Sequence, residues 1–75
     1  MIGVGERIRK IREERGMSLE EFAKAIGIST KKLEEIEKGI SRPCDATLVF
    51  IAKRFNVDYR WLALGERAKE PAGVT

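Results

Sequence analysis

An all-α fold of five short helices is predicted by three features of this 75-residue sequence. Apolar residues recur three and four positions apart in successive windows, the spacing of one helix face. Ser, Asp, Asn and Gly residues punctuate those windows where helices would start and stop. Nothing in the chain shows the strict alternation that marks a half-buried strand.

Residues 1–5 are expected as a short, loose arm. The first helix is expected over residues 6–15. Val4, Ile8, Ile11 and Arg15 share one face there, and Arg12 lies at its edge. Gly16 should end this helix, with Met17 carrying the core into the turn. Ser18 reads as the N-cap of the second helix, and Glu21 three residues later completes a capping box. Phe22, Ala23 and Ile26 form that helix's apolar stripe. Gly27 supplies the backbone freedom needed to end and turn, and Ile28 plugs the turn. Ser29 then caps a third helix with Leu33 and Ile36 facing inward.

Residues 39–43 read as a loop, because Gly39 stops a helix and Pro43 cannot continue one. Asp45 is expected to cap a fourth helix reaching about Arg54, with Leu48, Ile51, Ala52 and Phe55 on its core face. Asn56 ends it, and Val57 packs inward. Asp58 should cap a last short helix, 59–64, that carries Trp61 and Leu62 and ends at Gly65. Residues 66–75 lose apolar periodicity, contain Pro71 and Gly73, and are expected as a flexible tail.

Composition narrows the function classes. Lys and Arg total 15 against 12 Asp and Glu, a net charge of +3. That mild basicity suits a nucleic-acid partner without demanding one. With no His and a single Cys, no metal site and no cofactor are expected, and the usual catalytic base is missing. An enzyme is therefore the weakest of the function classes, and none is expected. One unpaired thiol, Cys44, suits a reducing cytoplasm, and it is expected to be small and partly buried. No stretch approaches the length of a membrane span, and residues 1–5 lack the charged and apolar blocks of a secretion signal.

Residues 18–37 are two helical patterns joined by a Gly-containing turn, a helix-turn-helix. The segments I-R-K-I-R-E-E-R-G-M-S-L-E-E-F-A, G-I-S-T-K-K-L-E-E-I-E-K-G, S-R-P and T-L-V-F-I-A-K-R-F-N-V-D-Y-R-W-L resemble the Cro/C1-type, or Xre, family of lambda-repressor-like DNA-binding domains. The resemblance covers about Ile8 to Leu64 and implies one domain over residues 6–65. It also implies a sequence-specific transcription regulator, expected as a repressor. Such a protein binds double-stranded DNA as a homodimer on a pseudo-palindromic operator, with the third helix in the major groove.

The wheel of the third helix is legible without the family. At about 100° per residue, Lys31, Glu34, Glu35 and Lys38 point away from the core, and Thr30 and Lys32 flank them near the helix start. Thr30, Lys31, Glu34 and Glu35 are the candidate base readers, with Lys32 close by. Ser18 and Ser29 stand at helix N-termini, where backbone N–H groups can receive phosphates. Arg42 resembles a family phosphate contact. The resemblance also implies a buried or half-buried pair of Arg12 with Glu37; the alternative is two snorkelling surface chains.

Two departures weaken the DNA reading. Leu19 stands where the family often has Gln, and Ile40 where many relatives have Lys. Glu34 and Glu35 also put negative charge on the reading face. Pairs of Glu34 with Lys38 and of Lys31 with Glu35 are expected to soften it. A second reading therefore stands beside the first: a protein-interaction, antitoxin or controller-type module on the same fold, with weakened DNA binding. Val49 and Phe50 are apolar residues beyond the core face of the fourth helix, and they are the candidate dimer surface.

Overall fold

Residues 3–66 are described by the computed structural model. Among them lie five helices and no strand: α1 (Val4–Glu14), α2 (Leu19–Ile26), α3 (Thr30–Glu37), α4 (Asp45–Phe55) and α5 (Arg60–Leu64). The apolar stripes of all five converge on one core. Ile8, Ile11, Phe22, Leu33, Ile36, Leu48, Ile51 and Leu62 are fully enclosed in it. Each such side chain contributes about 1.5–3 kcal/mol relative to exposure. The Phe22 and Phe55 rings stack with centroids 4.8 Å apart, joining α2 to the end of α4. α1 packs on α3 and α5, and α2 packs on α3 and α4.

The first helix begins two residues earlier than expected. Gly3 is its extended N-cap, and Val4 and Gly5 form its first turn. Close packing is the reason. Gly5 is buried against the backbone of α3, where a Cβ would collide with the Ile36 carbonyl. A glycine read as looseness is here the means of approach. Of the expected arm only residues 1 and 2 lie outside the described residues, as does the expected tail beyond Glu66.

Other boundaries shift by one residue. Asp45 is the first residue of α4, and Cys44 is the N-cap. The Asp45 carboxylate still sits in the first turn, where the helix dipole favours it. Cys44 is exposed, not partly buried, and its Sγ lies 3.3 Å from the Thr47 hydroxyl. Pro43 takes the buried place beside it. The last helix starts at Arg60 and is wound as a π-type turn, closed by Gly65 through its N–H to the Trp61 and Arg60 carbonyls. The Asp58 carboxylate accepts from the Arg60 and Trp61 N–H groups at 2.7 and 3.3 Å.

Arg7 of α1 and Arg15, the residue that caps its C-terminal end, behave unlike surface cations. Arg15, expected on the apolar face, is exposed, but its guanidinium lies 5.5 Å from the Phe55 ring centre and donates to the Phe55 carbonyl. Arg7, not singled out from the sequence, is buried, and its Nε donates to the Leu62 carbonyl at 2.9 Å. That bond ties α1 to α5 across 55 residues of chain.

Candidate nucleic-acid interface

The turn between α2 and α3 follows from local chemistry. Ser18 Oγ accepts from the Glu21 N–H at 3.0 Å, and Glu21 Oε1 accepts from the Ser18 N–H at 2.9 Å. This reciprocal box fixes the start of α2. Gly27 ends the helix at φ 80°, a left-handed conformation that costs Gly little. The Ile28 N–H then bonds back to the Ala23 carbonyl at 3.0 Å, and the half-buried Ile28 side chain packs on the core. Ser29 Oγ accepts from the Lys32 N–H at 3.0 Å and starts α3.

The two helix N-termini differ as anion sites. The Ser18 N–H, a candidate phosphate donor, is already taken by Glu21, and Glu20 adds a second carboxylate to that first turn. The first turn of α3 carries no acidic residue. Its leading N–H groups, on Thr30 and Lys31, therefore offer the more favourable place for a phosphate.

Along α3, Leu33 and Ile36 face the core, and Thr30, Lys31, Lys32 and Glu34 are exposed, as is Lys38 at its C-cap. Glu35 is only half exposed. Glu34 and Lys38 approach to 3.8 Å, as a weak surface pair. Lys31 and Glu35, expected to pair, do not come within ion-pair distance among the described residues. A Lys four positions before a Glu is the less favourable order on a helix, and the Lys31 ammonium is left to solvent. Lys32 Nζ instead reaches Ser41 Oγ at 3.2 Å, linking α3 to the loop that carries exposed Arg42. That loop is held by the Glu35 carbonyl, which accepts from the Ile40 and Ser41 N–H groups at 2.9 and 3.2 Å.

Two features fix how α3 is presented. Arg12 donates through Nε and Nη2 to both oxygens of Glu37, the last residue of α3. Its Nη1 donates to the Met17 carbonyl at 3.0 Å. The Glu37 bond raises the Arg12 pKa, outweighing the lowering by burial. The contact of Gly5 with Ile36 is the second feature, so α1 grips the C-terminal end of α3 and leaves its N-terminal end outward. Leu19, where a hydrogen-bonding side chain was absent, is half-buried and packs on the core.

Ile40, Leu64, Val49 and Phe50 are the large apolar side chains left exposed among the described residues. The Thr47 hydroxyl, followed by the Thr47 N–H, lowers the Cys44 pKa from its ordinary thiol value. Among the described residues no group of His, Cys, Asp and Glu is placed to hold a metal ion, and no helix is long and apolar enough to cross a membrane.

An exposed third helix, set by a glycine turn on the second and braced from behind by the first, defines a helix-turn-helix domain. The chain belongs to the helix-turn-helix domain family, whose model matches residues 5–67, and it is of the Cro/C1 type. It is 41% identical over 63 residues to YazB of Bacillus subtilis, described as an uncharacterized HTH-type transcriptional regulator; the match covers 84% of this chain and 91% of that protein. It spans between 29% and 58% of the length of four other HTH-type regulators. Among solved structures it is similar to the biofilm regulator SinR in complex with DNA, with 30% identity and a TM-score of 0.71 over 79% of this chain and 95% of that one. The P22 c2 repressor, solved with a synthetic operator, shares the fold at a TM-score of 0.79 and 23% identity, over 88% of this chain and all of that one.

Proposed function

We propose that the protein is a sequence-specific DNA-binding transcription regulator that acts as a repressor. In this reading the N-terminal half of α3 enters the major groove. Thr30 and Lys31 meet base edges, with Glu34 and Glu35 positioned to accept from cytosine amines. The α3 N-terminus, Lys32, Lys38 and Arg42 meet phosphates. The observation that carries it is the exposed N-terminal end of α3, where Lys31 makes no ion pair among the described residues. The complexes of SinR with DNA and of the P22 c2 repressor with a synthetic operator support the same reading.

A helix-turn-helix this small reads few base pairs, so the working form is proposed as a homodimer. Its recognition helices then stand about 34–36 Å apart, one DNA turn. Val49 and Phe50 on α4, 40% and 47% exposed, supply a self-complementary apolar patch away from α3.

A second reading, a protein-interaction module, is favoured by one observation: Glu34 and Glu35 on the presented face and Ile40, 71% exposed, on the adjoining loop. Gel shifts on genomic DNA fragments at two salt concentrations separate the two. The DNA reading requires retarded complexes whose affinity falls with salt, and a salt slope about one unit smaller for Arg42→Ala. An absence of retardation at the lower salt favours the interaction module.

A further inference from the structure

A hollow among the described residues lies between α1, the loop after α3, and α5, to one side of the reading helix. Its volume is about 730 Å³, within the range of small-molecule sites. Among the described residues its walls include Glu6, Arg7, Lys10, Arg42, Trp61 and Leu64. Three basic residues and one acidic residue thus line it among the described residues, beside an apolar wall made of the half-buried Trp61 and Leu64, 62% exposed.

The cations differ in how they are held. Arg7 is fixed by its bond to the Leu62 carbonyl. Lys10 lies 3.7 Å from Glu14 in an exposed pair of little strength, so its ammonium can swing inward. Arg42 makes no ion pair among the described residues. The Arg7 guanidinium has its pKa lowered, first by burial and then by the charge of Arg42. The two guanidinia therefore lie near enough for their charges to interact at the cavity.

We propose that this cavity binds a small organic anion, a carboxylate or phosphate on an apolar body. The charged group sits among Arg7, Lys10 and Arg42, and the body lies on Trp61 and Leu64. Occupancy draws Arg42 away from the DNA backbone, so the ligand acts as a negative effector of DNA binding. That second half rests on the phosphate role of Arg42 proposed above; the site itself does not.

The test uses the full chain labelled with nitrogen-15, at constant ionic strength, with benzoate and phenyl phosphate as probes and benzyl alcohol as the neutral counterpart. Trp61 is the single tryptophan, so its indole N–H signal is unambiguous. The Arg7 Nε–H is the second reporter. Both anions are expected to shift the two signals saturably, with benzyl alcohol at least about tenfold weaker. Lys10→Gln should weaken the anions at least about threefold, and Lys24→Gln, outside the cavity, should leave them unchanged. Shifts that never saturate, that benzyl alcohol reproduces, or that Lys10→Gln leaves intact overturn the site. On a retarded DNA fragment, benzoate should raise the apparent Kd of the wild type and not of Arg42→Ala. Saturable anion binding with an unchanged DNA affinity keeps the site and overturns its role as an effector pocket.

Discussion

Arg12 holds Glu37 in a two-pronged bond, Nε to Oε2 at 2.8 Å and Nη2 to Oε1 at 3.1 Å, with side chains only 14% and 8% exposed. One guanidinium thereby joins α1, the turn at Met17 and the last residue of α3. Removing the carboxylate leaves a largely buried cation with a single carbonyl partner. Glu37→Ala should therefore cost about 3–5 kcal/mol, whereas a solvent-exposed pair would be worth less than about 1. Urea melts of the single variants measure this, and a loss under about 1 kcal/mol in both Glu37→Ala and Arg12→Ala contradicts the bracing role. The raised Arg12 pKa gives the sign of the pH dependence. The arginine's contribution is lost as the pH rises through its raised value in strong alkali, so the stabilisation should be flat across neutral pH.

Cys44 is exposed at the start of α4, and the Thr47 hydroxyl stabilises its thiolate. A thiol whose pKa is lowered is more ionised at a given pH. Alkylation by iodoacetamide should reach half its limiting rate at a lower pH than for a free cysteine. Thr47→Val should move that midpoint upward. An unchanged midpoint in the variant would show that the hydroxyl does not govern the thiol.

Phe50 is 47% exposed on α4 beside Val49, and neither is needed to fill the core. Phe50→Glu should give a folded monomer with weaker DNA binding. Sedimentation of wild type and variant measures this, with circular dichroism to show that the variant folds. A wild type that stays monomeric at high concentration, or a variant that dimerises as before, removes Phe50 from the interface.

The features legible in the sequence are those set by neighbours along the chain. The Ser18–Glu21 box, the Gly27 turn and the Ser29 cap each depend on groups three to five residues apart, so residue type and spacing suffice to name them. The inward stripes of Phe22, Leu33, Ile36, Leu48 and Ile51 follow from helical periodicity alone. Gly5 was misread because its meaning comes from the Ile36 carbonyl, 31 residues away in the chain. Arg7 was missed for the same reason: an Arg on an amphipathic helix looks solvent-facing until the Leu62 carbonyl is brought against it. Spacing made Lys31–Glu35 and Glu34–Lys38 equivalent, and only the order of charges along the helix separates them. The Arg12–Glu37 pair was available through resemblance and not through spacing, because the partners lie 25 residues apart.

The claim on which the rest depends is that the N-terminal half of α3 reads base edges. Selection of bound sequences from a random DNA pool, run in parallel with wild type and Lys31→Ala, tests it most directly. The account predicts a defined pseudo-palindromic preference for the wild type and a relaxed preference at one position of each half-site for the variant, a discrimination of about 1–3 kcal/mol. An identical preferred sequence for both proteins, or no enrichment with the wild type, contradicts it.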